Sequence, residues 1–181
     1  MIVTLIVACE IAFWVLLAAG LALRYGARRP RLGAAVLLCE PVLELVLLAV
    51  TAVDLKNGAE PDWKHGLAAV YIGFTVGLGH STITWADARV AHRFAGGPPP
   101  VKPPKYGKAR AVHEWRVAAR WTVAAATALA LLQAAVWYVG GDGDVSSLRS
   151  WQRTMLLVVG INLVIAASYT LFPKRAPGPS S

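Results

Sequence analysis

Charge is what this chain has least of. Only 15% of its 181 residues are Asp, Glu, Lys or Arg, while 56% are hydrophobic and the mean hydropathy is +0.52. Soluble domains carry about a quarter charged residues, so this deficit excludes an ordinary soluble domain and points to a membrane. Cysteine is scarce as well. The only two, Cys9 and Cys39, lie inside apolar runs and read as small buried hydrophobes. That excludes a disulfide framework and a cysteine metal site. The chain has no phosphate-binding loop, no Gly-x-Ser-x-Gly and no His-Glu-x-x-His. It also lacks the Asp-rich motif that holds magnesium on a prenyl diphosphate, so ionisation of a diphosphate is not expected. The turn Gly140-Gly141-Asp142-Gly143-Asp144 is too short for a twelve-residue calcium loop and lacks the closing Glu. No metal and no cofactor are expected.

The charge that remains is unbalanced, at +8. A nucleic-acid partner is rejected, because the basic residues cluster between apolar runs, where membrane topology accounts for them. Five apolar runs of about 20 residues each are long enough to span a bilayer. They lie at about 2–23, 32–53, 66–85, 117–139 and 151–172. The first starts Met-Ile-Val-Thr, with its arginines after the run, so it reads as a retained helix rather than a signal peptide. Arg24, Arg28, Arg29 and Arg31 crowd the first connection. Residues 87–116 form the longest polar stretch, basic and centred on a polyproline-like Gly96–Gly107. Positive loops face the cytoplasm. The expected architecture is an all-α polytopic bundle of five transmembrane helices, N-out and C-in, in a bacterial cell membrane. It occupies 1–175 as one unit, followed by a flexible tail at 176–181. Trp63, Trp85, Trp115, Trp121, Trp137 and Trp151 fall near the expected helix ends, where indoles anchor at the interface.

The second run, LGAAVLLCEPVLELVLLAVTAV, carries Glu40 and Glu44 one helical turn apart. Hydrocarbon penalises a charge there by at least about 2.5–3.5 kcal/mol, so such a group has a partner or a task. Pro41 removes the N–H that the Leu37 carbonyl would bond, which predicts a kink. Glu10 sits in the first run with Trp14 one turn on. In the third, Gly73, Gly77, His80, Thr84 and Asp87 make one small-and-polar stripe. Gly73-x-x-x-Gly77 also allows close helix approach. Thr75, Gln133 and Asn162 fall at similar depths, so every helix brings a polar group to the middle of the membrane. A shared interior cavity would account for that. Interhelical hydrogen bonding accounts for single amides such as Gln133 and Asn162.

Three readings remain open. In the first, the chain is an enzyme. A carboxyl in hydrocarbon favours its neutral form and is a proton donor, the agent needed to protonate an alkene or epoxide. Glu10, Glu44 and Glu40 would be the catalytic acids, acting on a lipid-soluble isoprenoid. Trp14, Tyr71, Phe74 and Trp85 would stabilise a carbocation, with His80 and Asn162 completing the substrate pocket. In the second, the same acids carry protons or cations in a small transporter, built as a homo-oligomer. In the third, the protein is a non-catalytic assembly factor acting through its basic proline-rich loop, which docks a partner or rests on anionic membrane lipids.

Three stretches carry a family resemblance. They are CEIAFWVLLAAGLALRY from Cys9, LGAAVLL with LELVLLAVTAVDLKNG from Leu32 to Gly58, and HGLAAVYIGFTVGLGHSTITWADARVAHRFAGGPPPVKPPKYG from His65. Together they resemble the YmcC-like group of small bacterial integral membrane proteins, the actinobacterial branch more closely. The resemblance implies an acid at Glu44, Asp54 at the end of the second helix and the Trp85-Ala86-Asp87 step. Glu40 departs from the group's apolar residue at that position. In style, as a compact bundle with intramembrane acids, the chain is also similar to membrane-bound terpene cyclases, although no motif aligns.

Overall fold

The computed structural model describes residues 2–94, 96–141 and 143–173, apart from the side chains of residues 2–7, 10 and 65. Among the described residues the chain is helical, without a strand. Helix α1 (Ile2–Leu21) closes in a π turn, Ala22–Gly26, where the Ala27 N–H reaches the Ala22 carbonyl at 2.9 Å. Helices α2 (Pro30–Leu37) and α3 (Cys39–Lys56) form one interrupted rod. Pro30 starts it with a preset φ. Pro41 interrupts it where the missing N–H predicts, at Leu37, and Leu38 keeps near-helical angles of φ −71° and ψ −14°. A short 3₁₀ turn, Trp63–Gly66, leads into α4 (Leu67–Phe94), followed by α5 (Gly107–Val139) and α6 (Ser146–Leu171).

Four rods are long and apolar enough to cross a membrane: Pro30–Lys56, Leu67–Phe94, Gly107–Val139 and Ser146–Leu171. A shorter apolar helix runs over Ile11–Gly26. The expected bounds need correction at the basic connection. Helix α4 continues past Trp85 to Phe94 and α5 begins at Gly107 rather than 117, so much of 87–116 is helix. Lys and Arg are good helix formers, and the chain breaks only where Gly96 and the prolines begin. The 33 residues of α5 reach about 50 Å, well beyond a hydrocarbon core of about 30 Å. Trp121 consequently lies inside α5 and packs on Phe74 of α4, at 6.1 Å between ring centroids.

The tightest packing is of α5 against α4 and α6. Gly77 makes the first approach possible. A Cβ there would stand 2.6 Å from the Ala124 nitrogen, and one at Gly73 would run into the Ala124 carbonyl. Antiparallel neighbours are tied by side chains. Gln152 Nε2 donates to Gln133 Oε1 at 3.0 Å, and Trp115 Nε1 donates to Thr170 Oγ1 at 3.0 Å. The apolar core, with Leu48, Leu55, Ala69, Leu132 and Leu148, sits between α3, α4, α5 and α6. Cys9 is buried as expected. Cys39 is exposed, because it opens α3 on the outward side of the joint, and its thiol donates to the Ala35 carbonyl at 3.5 Å. Residues 174–175 and the expected tail at 176–181 lie outside the described residues.

Candidate intramembrane acid site

Helix α3 carries its two acids toward the interior. Glu44 is buried at 6% exposure, about halfway along the Pro30–Lys56 rod. Glu40 is half-buried one turn earlier, and its Oε1 is shut off from solvent without a hydrogen-bond partner among the described residues. No cation and no hydrogen-bond donor among the described residues meets Glu44 either, while Glu40 adds a like charge beside it. The two carboxyls lie one turn apart on α3, close enough for each to feel the other's charge. Among the described residues no three His, Cys, Asp or Glu side chains gather as a metal site.

The other expected site residues spread around the bundle. The backbone of Glu10 lies in α1, and its side chain is outside the described residues. Tyr71 joins α4 to α1 through Phe13, with ring centroids 5.7 Å apart, and Phe74 joins α4 to α5 through Trp121. Trp14 is 67% exposed and stands nearly perpendicular to the Phe13 ring, with centroids 5.5 Å apart. Trp85 is exposed beneath the Arg89 guanidinium, 3.8 Å from the ring centroid. His80 is exposed too, and its carbonyl accepts the Thr84 hydroxyl at 2.9 Å. Asn162 spends its amide on its own helix, donating to the Val158 carbonyl at 2.9 Å. Gln133 is paired with Gln152. The stripe on α4 therefore divides. Gly73 and Gly77 face α5, and His80 and Thr84 face outward.

Asp87, the last member of that stripe, belongs to a second cluster. The Arg24 Nε donates to Asp87 Oδ1 at 2.8 Å, the other arm of its guanidinium meets Oδ2, and the Tyr25 hydroxyl donates to Oδ1 at 2.9 Å. Arg24 also reaches the Pro30 carbonyl at 3.2 Å. The π turn at the end of α1 places Arg24 and Tyr25 side by side, and the close approach of Gly33 to Gly20 and Arg24 brings α2 into the same corner. Sequence reasoning counted Arg24 only as a topology charge. The signal for its pairing was its place at the end of an apolar run, level with the single acid of α4 in an up-and-down bundle.

A bundle of long apolar helices with a carboxyl buried at mid-span defines a polytopic helical membrane protein. Comparison with known proteins places it further. The chain is 36% identical over 172 residues to a protein of Bacillus subtilis (strain 168) named uncharacterized membrane protein YmcC, a match that covers 94% of this chain and 92% of the relative. It belongs to the YmcC-like membrane protein family. No family model matches the chain, and no solved structure does. The likeness in style to terpene cyclases has no counterpart in these matches.

Proposed function

We propose that the chain crosses the bacterial cell membrane five times, N-out and C-in, and that Glu44 acts in it as a general acid on a lipid-soluble substrate. One observation carries the reading: a carboxyl is buried at mid-span with no cation or donor against it among the described residues. An acid held in hydrocarbon without a partner costs stability, and such residues mark proton relays and reaction sites. The +8 charge and the arginines of the first connection support the orientation.

In its most specific form, the substrate is an isoprenoid. Glu44 gives its proton to an alkene or epoxide. The carbocation closes a ring against its own chain, and a neighbouring carbon loses a proton to a carboxylate of the pair. Product and substrate then have the same mass. A second reading, proton carriage, draws on the interruption at Leu38, since broken membrane helices expose carbonyls beside carried ions.

Expression in a host supplied with candidate isoprenoids, followed by mass spectrometry of lipid extracts, tests the first reading. A cyclised, mass-neutral product present with the wild type and absent with Glu44→Gln is expected. A product that persists in the variant would remove Glu44 as the acid. Acidification of proteoliposomes that Glu44→Gln abolishes, with no new lipid, would move the site to proton carriage. Reporter fusions at either terminus test the orientation.

A further inference from the structure

The connection between α4 and α5 is fixed at both ends and bare between them. The Gly97 N–H donates to the Ala91 carbonyl at 3.0 Å, His92 Nδ1 lies 3.0 Å from the Gly97 carbonyl, and Arg110 Nη1 donates to the Pro104 carbonyl at 3.4 Å. Between these ties, 98–105 reads Pro-Pro-Pro-Val-Lys-Pro-Pro-Lys. Residues 101–105 are all exposed, and Val101 is 98% exposed. Each proline fixes its own φ at about −65° and turns the residue before it away from helix. Among the described residues no backbone–backbone hydrogen bond involves 98–105, which suits polyproline II, a form without internal hydrogen bonds.

Polyproline II repeats every three residues, so positions three apart share an edge. Pro98, Val101 and Pro104 lie along one edge and Pro100 and Pro103 along a second, both apolar. Lys102 and Lys105 follow Pro99 along the third. No acid occurs in 88–113, and neither lysine has an ion-pair partner among the described residues. The segment is therefore a stiff apolar ridge with a cationic flank. Pro100, Pro103 and Lys105 put the charge at one end, which gives the ridge a direction.

A lipid surface and a protein groove could both receive lysines, and the height of the ridge selects between them. The apolar part of α5, 121–139, is about 28 Å long and by itself fills a hydrocarbon core of about 30 Å. Residues 107–120, with Lys108, Arg110, Arg116 and Arg120, carry the helix about 20 Å further. A headgroup layer is only about 5–7 Å deep, so the ridge stands clear of it. Aromatic rings pack on such a ridge at little entropic cost, because proline has already removed the freedom that binding would take.

We propose that 98–105 is the docking ligand for a soluble protein domain on that face of the membrane, one whose groove is lined by Trp and Tyr rings and flanked by carboxylates. The rings take Pro100, Pro103 and the Val101 edge, and the carboxylates take Lys102 and Lys105. The proposal stands apart from the acid site.

Two measurements on the full chain test it. In the cell, a benzophenone amino acid replaces Tyr106, the aromatic residue beside the ridge. Irradiation should join it to a soluble protein, with the attached residues in a groove of Trp and Tyr side chains next to Asp or Glu. The adduct should vanish when Pro100→Ala/Pro103→Ala is added, a change that keeps both lysines. Adducts to phospholipid, no adduct, or an adduct that persists in the proline variant would overturn the proposal. In the second measurement, the chain in nanodiscs is titrated with a purified SH3 domain that reads Pro-x-x-Pro-x-Lys. Binding is expected, weakened about tenfold or more by the proline variant. Lys102→Gln/Lys105→Gln should weaken it and flatten its salt dependence, while Arg28→Gln/Arg29→Gln, the same loss of charge elsewhere, should leave it unchanged. No binding, equal binding to the proline variant, or an equal loss in the Arg28/Arg29 variant would show that the ridge does not enter such a groove and would overturn the proposal.

Discussion

The Arg24–Asp87 corner and the Glu40–Glu44 pair each bring carboxylate chemistry into a chain poor in charge, and they are built on opposite terms. At the corner every partner is present. Asp87 accepts twice from one guanidinium and once from a tyrosine, and Arg24 extends the corner to the Pro30 carbonyl of α2, so the end of α1, α2 and α4 are tied together. On α3 nothing answers the acids among the described residues, and Glu40 keeps a buried oxygen without a donor. A paired charge is explained by the architecture it holds. An unpaired one in hydrocarbon is not, and its cost has to be offset by what it does.

The contrast can be broken from either side. Glu44→Gln keeps the shape and removes the acid, so it should lower turnover by about a hundredfold or more, the range of general acid catalysis, while the fold survives. Product formation in lipid extracts reads the first outcome and thermal unfolding in detergent the second. Gly77→Leu should cost about 1–3 kcal/mol through overpacking of α4 on α5. It serves as the reference for purely structural damage in the same unfolding assay. Asp87→Asn should cost about 1–2 kcal/mol, since it strips the charge from a forked pair whose side chains are 12% and 40% exposed. That loss should appear without any change in the chemistry per folded molecule. Gln133→Leu, which leaves Gln152 without its partner, should cost only about 0.6 kcal/mol, the scale of one interhelical hydrogen bond in a membrane. If Asp87→Asn abolished turnover while Glu44→Gln only destabilised, the two regions would exchange roles.

The spans were legible because hydrocarbon thickness sets a length that an apolar run must meet. The break at Leu37 was legible because Pro41 removes one identifiable hydrogen bond. Depth along each helix was the other expectation drawn from the sequence, with Glu10, Glu44, Gln133 and Asn162 in one layer and Glu40 and His80 deeper. What depth does not contain is azimuth. Asn162 turned back to Val158 and His80 turned outward, although both lie level with groups that face inward. A helix face is chosen by the neighbours it packs on, and here Gly73 and Gly77 commit α4 to α5 before His80 has a say. The Arg24–Asp87 pair stayed hidden for another reason. Its members are 63 residues apart, and an arginine after an apolar run already has a sufficient cause in topology. The helical extension of α4 and α5 was missed because charge was taken as the mark of a loop, although Lys and Arg lie comfortably in helices.

The claim that unpaired means functional is tested most directly by unfolding temperature. Wild type, Glu44→Gln and Asp87→Asn would be melted side by side in one detergent. The account predicts that Glu44→Gln unfolds at or above the wild-type temperature and Asp87→Asn below it. A Glu44→Gln variant that melts well below wild type, at or under Asp87→Asn, would show that Glu44 holds the bundle together and would contradict the account.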